Sequence, residues 1–536
     1  MNRTDRPNIL WISIEDTTPR FGCYGDPIAR TPNIDRLAAG GCRFPNAFST
    51  AGVCAPSRSA IITGMYQTSI GTHHMRTAHT NRNTPDMPTP YSAVPPPYVK
   101  TFTEYLRAAG YYCTNNSKTD YQFTPPITAW DDNSNQGHWR NRENGQPFFS
   151  VFNPTVTHES GMWEKPDRPL TTTTNPDDVK LPPYLPDTPK ARQALARQYD
   201  NLATADARVG ELLDQLEEDG LYDNTIVFLW SDHGEGLPRG KRWPYDAGIR
   251  IPLIVRWHKV IDPDSTSDQL VSLIDLGPTV LSLCGVQAPQ HLQGQPFLGP
   301  QTVERDYIFA TRDRYDESYD MIRAVRDKKY KYMRNYYPEK PYLLWIPYRN
   351  RHPVMQEMWR LHAEDKLEGD QLVMFQSPRP TEELYDVEND KYELNNLAED
   401  TAHANVLERM RGALAAWQSE FGDMGDISEE QMVARWYPNG TQPQTASPIF
   451  IPINSSNPGR EPTEGNGEWE APLLLQLHCS TQGASIAYTT EQGEDVRWQL
   501  YTQPLRLPKG ETTVRTKAIR IGYKESDEKS LTVTVS

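Results

Sequence analysis

Over the first 300 residues, short apolar runs alternate with longer stretches of helical periodicity, the pattern of strands joined by crossover helices. Asn8-Ile-Leu-Trp-Ile-Ser-Ile14 predicts a buried strand, and residues 31–40 predict a short capped helix after it. A helix over 102–109, a strand over 111–114 and a strand at Phe148-Phe-Ser-Val-Phe152 follow. Between 188 and 220 the apolar positions Leu195, Tyr199, Leu202, Val209, Leu213 and Leu216 recur at helical intervals, and Gly220 suits the C-terminal cap. Thr225-Ile-Val-Phe-Leu-Trp230 and residues 252–256 read as two further strands. The implied fold class is α/β, with a large mixed, mostly parallel sheet sandwiched by helices.

The texture changes after residue 300. Tyr307-Ile-Phe-Ala310, residues 321–326 and residues 329–333 predict a smaller antiparallel sheet, and 404–421 a closing helix. Residues 438–470, rich in Pro, Asn, Ser, Gly and Glu, read as a linker or extended wrap. The last 66 residues alternate short strands with turns, as a small appended β-sandwich would. The expected organisation is therefore 1–300 catalytic α/β domain, 301–437 smaller α+β subdomain, 438–470 linker and 471–536 β module.

A chain of 536 residues is too long for one ordinary core, and 37% hydrophobic content describes a globular protein. The net charge of −15 argues against a general nucleic-acid partner, which needs a basic face. Six cysteines are scattered without metal-type spacing, so neither a zinc ribbon nor a dense disulfide framework is indicated. No stretch is long and apolar enough to span a membrane. The N-terminus shows no signal-peptide core, which leaves a cytoplasmic location as written, or a periplasmic or secreted one if a leader was removed.

Candidate chemistry sits at two strand ends. Glu15-Asp16 follows the first strand and Asp232-His233-Gly234 follows the strand at 225–230. In open α/β sheets ligands bind beyond the carboxyl ends of strands, so both groups can converge on one site. Carboxylate oxygens with one nitrogen suit Ca²⁺ or Mg²⁺ more than Zn²⁺. A weaker reading has Glu15-Asp16 merely capping a turn. Cys54 opens Cys54-Ala-Pro-Ser-Arg58, where Pro56 and the apolar stretch after it predict a helix starting near residue 54. An anion is favoured at such a helix start, and Arg58 lies one turn on. The bland alternative is an ordinary buried thiol.

Cys54-Ala-Pro-Ser-Arg58 resembles the signature of the type I, formylglycine-dependent sulfatases of the alkaline-phosphatase superfamily, and the likeness extends over about residues 6–420. It implies that Cys54 is oxidised to formylglycine by a maturase and joins Glu15, Asp16, Asp232 and His233 around a divalent metal, Ca²⁺ with Mg²⁺ as the other candidate. Glu15 stands where the family carries aspartate. The resemblance also assigns Arg58, Lys118, His158, Lys241 and Asp232 to catalysis. Asp120 replaces the histidine of the motif that Lys118 matches. The implied mechanism is covalent, with Asp232 as base and His158 or Lys118 as general acid.

The likeness is greatest to the sulfamidase-like branch, which includes heparan N-sulfoglucosamine hydrolases, through Leu181-Pro-Pro-Tyr-Leu-Pro-Asp-Thr-Pro189, Ala191–Tyr199 and Leu237-Pro-Arg-Gly-Lys241. His73, His74, Arg76, Arg312 and Asp313 are candidates to line a sugar pocket, with surface-turn roles as the alternative. The C-terminal strands resemble modules appended to glycan-processing enzymes. The implied substrate is a sulfated sugar or oligosaccharide, O- or N-sulfated. A phosphoester or phosphonate hydrolase of the same superfamily and a non-catalytic glycan-binding protein are the other readings.

Overall fold

The computed structural model describes residues 6–80, 82–164 and 171–536. They form two compact units that do not follow the linear order of the chain. The first comprises residues 6–69, 73–76, 151–164 and 171–426, and the second 70–72, 77–80, 82–150 and 427–536.

In the first unit, β1 (Asn8–Ile14) pairs in parallel with β2 (Thr225–Ser231) over its whole length, Asn8 opposite Thr225 and Ile14 opposite Ser231. All residues of both strands are buried, as near-continuous apolar runs demand of a sheet covered on both faces. Beyond β2 lie Leu253–Arg256, Cys42–Arg43 and Ser265–Thr266 in that order. Leu253–Arg256 runs antiparallel to β2, so this half of the sheet is mixed. Parallel returns are usually made by a crossover helix, and the connection over residues 232–252 holds the single helical turn Asp246–Ile249 and the short strand Arg250–Ile251 instead.

The long helix Pro189–Glu218 is capped by Thr188, whose side chain accepts from Ala191 N–H, and Gly220 after it adopts φ +66°. The smaller sheet is antiparallel, in the order Ile308–Arg312, Ile322–Arg326, Tyr330–Asn335, Glu382–Asp386. The closing helix Ala404–Phe421 packs Leu407, Met410, Leu414 and Trp417 against Val325, Tyr332 and Leu384 of that sheet.

The second unit joins residues 77–150 to the C-terminal β module. Tyr91 OH donates to Glu429 Oε1 at 2.5 Å, Lys100 Nζ to Gly483 O at 2.7 Å, and Arg107 Nη2 to Trp498 O at 2.7 Å. Two sheets face each other around Phe450, Leu473, Leu475, Leu477, Leu507, Val514, Leu531 and Val533. The linker expected at 438–470 is corrected here, because Ile449–Ile453 and Gly467–Trp469 are strands of this sandwich. Pro452 is accommodated because Ile449–Ile453 is an edge strand, where a missing N–H costs no ladder bond.

Candidate active site

The parallel register of β1 and β2 brings their C-terminal extensions side by side. Asp16 N–H donates to Asp232 Oδ1 at 3.3 Å, and Thr17 N–H to Ser231 Oγ at 3.1 Å. Glu15, Asp16, Asp232 and His233 are all at most 1% exposed. Asp16 sits at φ +48°, a left-handed conformation that turns the chain sharply at the strand end. His233 Nδ1 lies 3.0 Å from Gly234 O. A carbonyl only accepts, so Nδ1 carries a proton and Nε2 is the ring nitrogen that would face a cation. That Nε2 lies 3.0 Å from Asp16 Oδ1 and 3.3 Å from Cys54 Sγ. Burial opposes a charge on His233, but Asp232 and then Asp16 and Cys54 outweigh it and push the imidazole up to about 10.

Cys54 is the first residue of α1 (Cys54–Thr63), as its motif predicts, and is 2% exposed. The preceding turn is tight. A Cβ on Gly52 would lie 2.5 Å from Trp243 O, so only glycine lets the backbone at 242–243 approach, and Arg242 N–H donates to Gly52 O at 2.6 Å. That contact delivers Lys241 to Cys54, with Nζ 3.7 Å from Cys54 Sγ and 2.7 Å from Asp16 Oδ2. One turn along α1, Arg58 donates from Nε to Asp232 Oδ2 at 3.0 Å and from Nη1 to Asn153 Oδ1 at 2.9 Å, with Nη2 3.6 Å from Glu15 Oε1.

His158 also converges. Its Nδ1 accepts from Ser160 N–H, which leaves the ring proton on Nε2, and burial followed by the charge of Lys241 lowers its affinity for a second proton. Donor atoms of Asp16, Cys54 and His158 lie within 4.8 Å of one another, as do those of Cys54, Asp232 and His233. Burial opposes the charge of Asp16, yet Lys241, His158 and His233 together hold it well below the usual carboxylate range. Four buried carboxylates, Glu15, Asp16, Glu159 and Asp232, face the cations Arg58, Lys241 and Arg242. Oxygen-rich donors with one imidazole nitrogen fit a hard divalent cation.

Three buried charged residues extend the site beyond the sequence reading. Glu159 donates its N–H to Asp16 Oδ2 at 2.7 Å, and its carboxylate takes a bidentate pair from Arg242 at 2.8 and 3.0 Å. Arg242 continues to Asp316 Oδ2 at 3.1 Å, and Asp316 pairs with Arg76, whose guanidinium lies over the Tyr348 ring at 4.5 Å. Arg242 and Asp316 both have positive φ, +79° and +55°. Glu159 and Arg242 adjoin His158 and Lys241 in sequence, which is the signal that could have found them. Asp316 carried none.

The remaining predicted residues fall in different places. Arg76 joins the site network through Asp316. His73, His74, Arg312 and Asp313 are buried rather than surface-turn residues. Asp313 pairs with Arg323 at 2.8 Å, Arg312 lies 3.2 Å from Asp320 and over the Trp243 ring, and His74 Nδ1 accepts from Arg314 N–H at 3.3 Å while its ring lies tilted against that of His73, 4.2 Å centre to centre. Lys118 belongs to the second unit, where its Nζ lies 3.3 Å from Asp120 Oδ2, and is not among the residues that the first unit assembles.

The sequence matches the sulfatase family over residues 7–286 and the C-terminal region of the N-sulphoglucosamine sulphohydrolases over 234–346. An ulvan-active sulfatase of Formosa agariphila is 41% identical over 561 aligned positions, covering 97% of this chain and 90% of its own length. The N-sulphoglucosamine sulphohydrolase of Homo sapiens is 27% identical over 78% of this chain and 90% of its own. A protein solved with its substrate D-glucosamine-2-N,6-O-disulfate shares the fold, with a TM-score of 0.53 and 20% identity over 80% of this chain and 99% of that one. A family match over half the chain, and a 41% identical relative along nearly all of it, show that this protein belongs to the sulfatase family.

Proposed function

We propose that this sulfatase removes sulfate from a sulfated carbohydrate, that its nucleophile is derived from Cys54, and that an ulvan-type polysaccharide is the first substrate to test. The observation that carries the reading is the convergence on Cys54 Sγ of His233 Nε2 at 3.3 Å and Lys241 Nζ at 3.7 Å at the start of a buried helix. The relative that covers 97% of the chain, named for activity on ulvan, supports the substrate class.

Asp16, Asp232 and His233, with Glu15 beside Arg58, are the residues that would hold a divalent cation, Ca²⁺ or Mg²⁺. When bound, it would supply positive charge to a sulfate oxygen. Formylglycine, made from Cys54 by a maturase, would supply a hydroxyl nucleophile in place of the thiol. The chain's own part is electrostatic and acid–base. Arg58 and Lys241 flank position 54 and stabilise negative charge on the reacting sulfate. Asp232, fixed by Arg58 and by the N–H groups of Asp16 and His233, is the proton acceptor. His158 offers its Nε2 proton to the departing oxygen.

The test is product analysis. The maturase-treated, metal-supplied enzyme should release sulfate from ulvan oligosaccharides or sulfated glucosamines and turn over 4-nitrophenyl sulfate faster than 4-nitrophenyl phosphate. Turnover of the phosphate alone would replace the sulfatase reading with a phosphoester one.

A further inference from the structure

The turn 348–352 borders the charge network of the site without contributing to the chemistry described above. Arg349, in the short helical turn Arg349–Arg351, and His352, the N-cap of α2 (Pro353–Ala363), are 3% and 1% exposed. Arg349 donates from Nη2 to Leu344 O at 2.5 Å, while its Nε and Nη1 have no hydrogen-bond partner among the described residues. His352 Nδ1 accepts from Val354 N–H, so its proton is on Nε2, which also has no partner among the described residues.

Other buried arginines of this unit use their donors, Arg239 and Arg314 on backbone carbonyls and four more on carboxylates. Arg58, Arg242, Arg323 and Arg379 all hold carboxylates at 2.8–3.0 Å. Among the described residues no carboxylate lies within ion-pairing distance of Arg349. Burial, then the charges of Arg242 and Arg312, lower the Arg349 guanidinium to about 9 against the opposing pull of Asp316 and Glu159. His352 feels Glu159, Arg242, Asp16 and Lys241. The turn that carries them adjoins the site through Tyr348, whose ring faces that of His158, and both side chains present unused N–H donors. The positive end of the α2 dipole adds to the same potential. Neighbouring rings complete the surroundings: Tyr348 lies 4.6 Å from the Trp163 ring and 6.4 Å from His158, centre to centre.

A desolvated guanidinium without a counter-ion is costly to keep, and the cost is removed when an anion arrives. We propose that Arg349 and His352 form a subsite for a second anionic group of the substrate, a carboxylate or a second sulfate, beside the sulfate that is hydrolysed. This rests on the sulfated-carbohydrate reading above, and it makes substrates with one charge poorer ligands than those with two.

Calorimetric titration of the full-length Cys54→Ala protein tests this without turnover. The probes are two pairs: an unsaturated uronate–hexosamine 6-sulfate disaccharide with its carboxyl-reduced counterpart, and glucosamine-2-N,6-O-disulfate with glucosamine 6-sulfate. In one pair, Arg349→Gln should weaken the doubly charged ligand about 10- to 100-fold more than the singly charged one. Arg349→Lys should recover part of that difference, and His352→Phe should reproduce a smaller share of it. The pair that responds identifies carboxylate or sulfate. Equal weakening within both pairs, with an unchanged circular dichroism spectrum, would overturn the subsite. Binding of no sulfated sugar by the Cys54→Ala protein would instead overturn the substrate class, and the subsite with it.

Discussion

Lys241 Nζ donates to Asp16 Oδ2 at 2.7 Å, joining two residues 225 positions apart that are both buried. Each neutralises the other in a place where neither charge would be stable alone. Burial works against the Lys241 ammonium, but Asp16, Cys54 and Glu159 hold its proton affinity well above that of an ordinary lysine. Lys241→Met is expected to lower kcat/KM for 4-nitrophenyl sulfate by at least about 100-fold. In chelator it should also destabilise the fold by about 3 kcal/mol, because Asp16 loses a counter-ion. Steady-state kinetics and urea unfolding check both, and unaltered kinetics would remove Lys241 from the site.

Cys54→Ala should abolish turnover, at least about 1,000-fold, while changing stability by about 1–2 kcal/mol, since a small buried side chain is exchanged for a smaller one. Mass spectrometry of the peptide around Cys54 should show formylglycine after co-expression with a maturase. Full activity with an unmodified thiol would end the nucleophile assignment.

Much of this was legible from the chain because the signals are local. The apolar runs of β1 and β2 and the Cys54–Arg58 pattern each lie within a dozen residues, and acids after parallel strand ends converge by geometry. Residues whose role depends on loop conformation were not legible. Asp316 reaches Arg242 across 74 positions from a left-handed turn, and no short-range pattern encodes that pairing. Composition misled at 449–453, where prolines and glycines around an edge strand look like those of a linker.

Removal of divalent metal should suppress turnover. Dialysis against chelator is expected to lower activity by at least about 100-fold, with recovery on adding Ca²⁺ or Mg²⁺. Asp232→Ala and His233→Ala should weaken cation binding measured by calorimetry about 10- to 100-fold each, and Glu15→Gln less, because Glu15 Oε1 is shared with Arg58. An enzyme indifferent to chelation would exclude this ligand set.

Arg242 holds Glu159 and Asp316 together, so Arg242→Gln leaves two buried carboxylates short of a partner. A loss of about 3–5 kcal/mol is expected. Arg242→Gln combined with Glu159→Gln should cost less than the sum of the two single changes, because both remove the same pair. Activity should fall as well, since the Glu159 N–H fixes Asp16. Additive losses would show that the pair does not act as a unit.

His352 predicts a pH dependence of stability. Burial lowers its folded-state pKa to about 4, against an unfolded value near 6.5. Between those values the unfolded chain binds a proton that the folded chain refuses, so the unfolded state gains stability as pH falls. The contribution of His352 is thus fully present above pH about 6.5 and is lost progressively down to pH about 4, amounting to about 3 kcal/mol. His352→Gln cannot titrate and should flatten this part of the profile. Urea unfolding in chelator at pH 7 and pH 5 should show a larger drop for the unsubstituted protein than for the variant, by about 2 kcal/mol. Equal drops would mean that His352 titrates as it does in the unfolded chain and is not shielded beside Arg242 and Lys241.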